Sequence, residues 1–295
     1  MNMFTSPATL LPSLSHIGVE FDAHDRTFWG LMHASKEQQL RPCCSLPIIE
    51  DGITLQEFVA NYTAHTRQGR TYLVLGSQAK VFNLGGDLKL FVRCIREQDR
   101  ETLLAYALRC VDAVYGFQDV GEGVHTIAMI EGDALGGGLE VALSCNTVVA
   151  ERGTTLGFPE VLFNLFPGMG AYSLLCRRMP AHQARRLVLD GNLRSAEEMY
   201  ELGIVDVLVD KGQAPNAVRD LIRREHKYGR AADVVDGIHA RASKVPLEEL
   251  RDVTTRWVDA AMRLEDRALK VIERVIRAQS RNFGGDEQVL LGAAG

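Results

Sequence analysis

Apolar positions along the chain fall into two kinds of pattern, unbroken runs and helical spacings. Residues 71–76, TYLVLG, form a continuous apolar run ending in glycine, as in a strand buried on both faces. HTIAMIEG (125–132) repeats that pattern, NTVVAERG (146–153) predicts a third strand, and IVDVLVD (204–210) a later one. Near the start, HIGVEF and TFWGLMH are rich in β-formers and are separated by the turn-like DAHD. Between these runs the spacing becomes helical. Leu88, Phe91, Val92 and Ile95 fall at i, i+3, i+4 and i+7, which predicts one helix over roughly 87–117 with Asp87 at its start. A loop holding Pro42 and Pro47 is predicted before a helix near LQEFVANYTAHTRQ, and shorter helices near 171–178, 181–190 and 195–202. From about 214 onward no strand is predicted. Residues 246–282 carry amphipathic helices, with Leu250, Val253, Trp257, Ala261 and Leu264 along one stripe. Strands alternating with helices predict an α/β fold with crossover connections, divided into an α/β core over 1–210 and a helical part over 211–295.

Composition narrows the function classes. The chain has 295 residues, 46% apolar and 24% charged, which is ordinary for a globular protein with a large core. A net charge of −5 leaves no chain-wide basic footprint, so no nucleic-acid partner is expected. Cysteines at 43, 44, 94, 110, 145 and 176 form no C-x-x-C pair, which favours reduced thiols over a disulfide scaffold or zinc ribbon. Histidines at 16, 24, 33, 65, 125, 182, 226 and 239 show no metal-ligand spacing, so no metal is expected; no cofactor is expected either. No Lys or Arg precedes Arg26, unlike the charged start of a secretory signal. The least charged stretch, 161–176, is interrupted by Pro167, Gly168 and Gly170 and is too short to span a bilayer. A cytoplasmic location without membrane insertion is the expectation.

Three groups of residues could carry chemistry. In Gly132-Asp133-Ala134-Leu135-Gly136-Gly137-Gly138-Leu139-Glu140, glycines occur where a strand passes into a helix. Backbone without Cβ can approach a ligand closely there, and the first N–H groups of a helix lack partners and can face an anion or oxyanion. Phe82-Asn83-Leu84-Gly85-Gly86-Asp87 makes a second such turn. Either turn alone reads equally as a packing feature, but an oxyanion hole commonly takes two donors from different loops. The third group is a carboxylate pair, Glu140 and Glu160, the latter in the apolar GFPEVLF. Desolvation would raise their pKa values toward those of acid–base catalysts, although most glutamates are solvated surface groups. Met169 and Trp257 could line an acyl pocket or simply be core. Ser144-Cys145 reads as helix packing, and Cys43-Cys44 as a loop pair with no activating neighbour. Arg219, Arg223, Arg224, His226 and Lys227 form a basic run that could bind a phosphate-bearing group or be a solvated helix face.

IEGDALGGGLEVALSCNTVVA followed by LGFPEVLFNLFPGMGAYSLL resembles the paired signature of the crotonase (enoyl-CoA hydratase/isomerase) superfamily, and KVFNLGGDLKLF resembles its other oxyanion-hole segment. Within that superfamily the chain most resembles the diffusible signal factor (DSF) synthases of bacterial quorum sensing, on FNLGGDL, GDALGGG, PEVLFNLFPGMGAYS, the VPLEEL and WVDAAM stretches and RAQSR. The resemblance implies a ClpP/crotonase-like spiral of ββα units. Its C-terminal helices would serve assembly and pocket cover in a homotrimer or dimer of trimers. It implies Glu140 and Glu160 as catalytic, the N–H groups of Leu84 and Gly137 as the oxyanion hole, and Gly85, Gly86, Leu135, Gly136, Met169 and Trp257 at the substrate. The implied reaction dehydrates a 3-hydroxyacyl group on acyl carrier protein (ACP) to a cis-2-enoyl group and hydrolyses the thioester to free acid. A sensor histidine kinase is an implied partner. Two other readings stay open: a hydratase acting on acyl-CoA, and a non-catalytic scaffold that binds the kinase. Asn83 and Leu84 replace smaller residues of a generic hydratase, and Gly170-Ala171-Tyr172 a more glycine-rich stretch. Lys80 resembles a basic position used for coenzyme A in some relatives, so both carriers remain open.

Overall fold

The apolar runs at 71–76 and 125–132 lie side by side as parallel strands covered on both faces. The computed structural model describes residues 11–34, 41–66 and 69–283. The chain begins β1 (Ile17–Asp22), β2 (Thr27–Met32), α1 (Leu46–Thr66), β3 (Thr71–Ser77), α2 (Leu88–Glu97), α3 (Arg100–Gln118) and β4 (Val124–Ile130). It continues β5 (Ala134–Leu135), α4 (Gly137–Ser144), β6 (Thr147–Glu151), β7 (Thr155–Gly157), a 3-10 turn (Pro159–Phe163), α5 (Ala171–Cys176) and α6 (Ala181–Asp190). It ends β8 (Arg194–Ser195), α7 (Ala196–Glu201), β9 (Val207–Val209), α8 (Ala214–Ser243), α9 (Leu247–Ala261) and α10 (Asp266–Phe283). Among these helices none is long and apolar enough to cross a membrane.

The larger sheet has the order β1-β2-β3-β4-β6-β9, with β1 and β2 antiparallel and the remaining pairs parallel. Side chains alternate across it. Leu73, Leu75, Ala128, Ile130, Val148 and Ala150 enter the main core with α1 and α3, whereas Tyr72, Val74, Ile127, Met129 and Val149 pack under Ala214, Val218 and Ile222 of α8. This two-sided cover explains why these strands read as unbroken apolar runs. A smaller sheet, β5-β7-β8, pairs β5 with β7 in parallel and β7 with β8 antiparallel. Its strands are two or three residues long, too short to leave a period in the sequence.

Three expectations change. The helix predicted over 87–117 is two helices, because Gln98 turns left-handed (φ 55°) and its N–H closes on the carbonyls of Cys94 and Ile95. Asp99 then starts α3 by accepting from the Thr102 N–H. Pro47 lies inside the first turn of α1, where a helix needs no N–H donor, so the predicted loop is shorter. On α9 the buried stripe is Leu250, Thr254, Trp257, Val258 and Ala261; Val253 is half-buried and Leu264 lies beyond the helix end.

Candidate active site

The glycine run behaves as its composition demands. Gly136 precedes α4 with φ 51° and ψ −124°, a conformation that side chains rarely adopt. Its N–H bonds the Gly157 carbonyl at 2.8 Å, which ties the start of α4 to β7. A Cβ on Gly138 would stand 2.3 Å from the Asn83 carbonyl oxygen, so only glycine lets α4 reach the 83–87 loop. That loop is set by Asn83, which is 1% exposed. Its Oδ1 accepts from the Gly85 N–H at 2.8 Å and from the Cys44 thiol at 3.4 Å. The Tyr106 hydroxyl accepts from the Asp87 N–H and donates to the Cys44 carbonyl, and Asp87 caps α2 as expected.

The expected Leu84 donor is not available. Its N–H is bonded to the Pro42 carbonyl at 2.8 Å, so Leu84 contributes only its side chain to the cavity wall. The neighbouring donor with no acceptor among the described residues is the Gly86 N–H. A Cβ on Gly137 would lie 3.5 Å from the Gly86 nitrogen, which shows how closely the two loops abut. Gly137 is the first residue of α4, where an N–H has no intrahelical acceptor. Gly86 and Gly137 therefore bring two N–H groups without an acceptor among the described residues to the edge of one cavity. Sequence reasoning placed Gly86 at the substrate but missed its N–H, because which amide of a turn points outward depends on the Asn83 bridge.

Glu140 and Glu160 come together on the wall of one cavity of about 280 Å3. Glu140, 1% exposed, accepts at Oε1 from the Met169 N–H at 2.8 Å and the Ala171 N–H at 2.9 Å. Burial pushes its pKa up to about 7, and these backbone bonds restrain the rise. Glu160 stands in the 3-10 turn over Gly136, where a Cβ would meet its Oε1 at 2.2 Å. Although part of the residue reaches solvent, its Oε2 is enclosed without a hydrogen-bond partner. Burial, followed by the charge of Glu140, pushes its pKa up to about 8. Unequal surroundings thus separate two carboxyls that would otherwise titrate alike.

Every residue predicted to line the substrate is on this cavity: Gly85, Gly86, Leu135, Gly136, Met169 and Trp257. The rest of the wall is mostly apolar. Phe91 and Trp257 meet edge to face at 4.9 Å, Ala107 and Cys110 come from α3, and Val271, Val275 and Gln279 from α10.

Other residues lie elsewhere. Lys80 is exposed and away from the cavity lining. Cys43 and Cys44 are buried, and burial pushes Cys43 up to about 11 and Cys44 further, which leaves inert thiols. Ser144 bonds the Val141 carbonyl within α4. Arg219 stacks on Trp29 at 4.9 Å, whereas Arg223, Arg224, His226 and Lys227 form an exposed face. His125, Glu225 and Asp236 gather with ligand-type atoms close together, which no sequence spacing foretold. The Arg70 guanidinium donates to both carboxylates, at 2.9 and 2.6 Å, and already supplies the positive charge there.

A family model described as enoyl-CoA hydratase/isomerase matches residues 54–235. The fatty acid oxidation complex subunit alpha of Pseudomonas syringae pv. tomato is 34% identical over 152 residues, covering 52% of this chain and 21% of that protein. Its counterpart in Pseudomonas aeruginosa is 28% identical over 230 residues, covering 76% and 31%. The chain thus spans only about a fifth to a third of the length of these curated relatives. Among solved structures, an enoyl-CoA hydratase from Bacillus halodurans superposes with a TM-score of 0.73 at 18% identity, covering 88% of this chain and all of that one. Pseudomonas aeruginosa DspI gives 0.62 at 24% identity, covering 85% and 91%. These likenesses show a shared fold.

Proposed function

The chain belongs to the enoyl-CoA hydratase/isomerase family and has its crotonase-type α/β fold, and from that premise we propose that it adds water across the double bond of an enoyl thioester. One observation carries the reading: two unpartnered N–H groups and two carboxyls whose pKa values desolvation raises share one apolar cavity. The thioester oxygen accepts from the Gly86 and Gly137 N–H groups. Ionised Glu140 takes a proton from water as its oxygen bonds the β-carbon. Electron density moves onto the thioester oxygen, where the two N–H groups stabilise it. Protonated Glu160 delivers its proton to the α-carbon, and the enolate collapses to the 3-hydroxyacyl thioester. Dehydration is the reverse, with the protonation states of the two glutamates exchanged. A coenzyme A carrier is supported by the family description and the fatty acid oxidation relatives.

A second reading follows the DSF synthases, in which dehydration precedes hydrolysis to a free cis-2-enoic acid. The apolar wall, with Phe91, Trp257, Val271 and Val275, suits an acyl chain. The same donor pair would stabilise a tetrahedral oxyanion. One assay separates the readings. Purified protein is given trans-2-enoyl and 3-hydroxyacyl thioesters of short to long chain on CoA and on ACP, and products are followed by mass spectrometry and thiol release. Interconversion with the thioester intact is expected. Free cis-2-enoic acid with matching thiol would replace the first reading by the second, and no turnover on either carrier would remove both.

The hydration rate is expected to be bell-shaped in pH. It rises as Glu140 ionises near 7 and falls as Glu160 loses its proton near 8. A kcat that stays flat through both values would exclude the pair as acid and base.

A further inference from the structure

The Met169 N–H that holds Glu140 and the Gly168 carbonyl belong to one peptide group. The carbonyl accepts a hydrogen bond from the Thr254 hydroxyl at 2.6 Å, and the N–H donates to Glu140 Oε1 at 2.8 Å. We propose that Thr254 is a positioning residue for Glu140, acting through this peptide group. The inference rests on the role given to Glu140 above and assigns α9 a part in setting it.

A peptide group is planar, so anchoring its carbonyl fixes the direction of its N–H. The segment from Gly168 to Gly170 belongs to no strand, and α9 supplies its side-chain support. The Trp257 ring lies where a Cβ on Gly168 would stand, at 2.7 Å, and Leu250 does the same at Gly170, at 2.2 Å. Those contacts press on the segment without specifying which way the peptide faces. Thr254 specifies it. It is fully buried on an otherwise apolar stripe, where a hydroxyl costs free energy unless bonded. Hydrogen bonds in such a chain also polarise one another, which strengthens the N–H as a donor to the carboxylate. Removing the hydroxyl loosens the donor and weakens the preference for the ionised carboxyl, so the titration of Glu140 moves upward.

The test follows the Glu140 carboxyl by carbon NMR in protein labelled at glutamate side chains, the signal being assigned by its loss in Glu140→Gln. In the native chain the midpoint is expected near 7. Thr254→Val should raise it, and Thr254→Ser should restore it. At neutral pH, Thr254→Val should lower kcat for the enoyl thioester about tenfold, with KM within about twofold because the cavity wall is retained. Thr255→Val is the control. Its hydroxyl bonds the Arg251 carbonyl within α9, and its removal should leave midpoint and kcat unchanged. Thr254→Ala removes the same hydroxyl in less volume and serves should the valine variant not fold. A folded Thr254→Val or Thr254→Ala with the native midpoint overturns the inference, as does an equal shift in the control. The midpoint is read without turnover, so positioning and proposed function can fail separately.

Discussion

Glu160→Gln is expected to lower kcat for enoyl thioester hydration by about a hundredfold or more, with KM changed only a few-fold. Glutamine keeps the shape over Gly136 but carries no proton that it can give up to carbon. Glu140→Gln should cost as much for the complementary reason: its amide oxygen still accepts from the Met169 and Ala171 N–H groups, yet it cannot take a proton from water. The pH profile distinguishes the two, because Glu140→Gln should lose the rising limb near 7 and Glu160→Gln the falling limb near 8. Full activity in either variant would end the two-carboxyl account. Stability should move the opposite way. Each carboxyl has a folded pKa above its unfolded value, so the folded chain holds protons that the unfolded chain has released. Their contribution to stability is fully present below the ordinary glutamate value of 4.5 and is lost as pH rises through about 7 and 8. Glu160→Gln should therefore melt above the native chain at pH 8 and show a flatter dependence of Tm on pH. A variant whose Tm falls with rising pH as steeply as that of the native chain would contradict burial as the cause of the raised pKa.

Gly136→Ala should remove activity by about a hundredfold or more while the fold survives. Two effects act at this position. Alanine at φ 51° and ψ −124° is strained, which costs about 1–3 kcal/mol. The methyl would also stand 2.2 Å from Glu160 Oε1, so the carboxyl must leave its place. Gly153 allows the two to be separated. It too has a positive φ (80°), but a Cβ there would meet open space, with no atom within 4 Å. Gly153→Ala should lose stability through strain alone and keep its rate. The comparison needs melting curves, circular dichroism and kcat for both variants. Equal rates would mean that Glu160 does not depend on the missing side chain at Gly136.

The main strands and most helices were legible because buried parallel strands and half-buried helices impose periods that a chain records in its apolar residues. The break at Gln98 was not, since a left-handed glutamine stabilised by carbonyls three and four residues back has no compositional mark. The two glycine turns and both glutamates were visible as residue types suited to the chemistry. The choice between Leu84 and Gly86 was not. It rests on the Pro42 carbonyl taking one N–H and the Asn83 side chain taking another, contacts that span the loop and reach back to an earlier segment. Asn83 two residues ahead of Gly85 was a usable signal, because asparagine commonly bonds backbone two residues on.

By itself, then, the order of residues determined which segments are strands and helices, where backbone could come close to a ligand, and which acids were available. The tertiary structure alone decided that Glu140 and Glu160 face one cavity, which amides stay unpaired beside it, and that α9 reaches the peptide holding Glu140. The reason is range: periodicity and turn chemistry act over a few neighbouring residues, whereas desolvation and hydrogen-bond pairing at the site depend on segments far apart in the chain, such as Thr254 and Gly168.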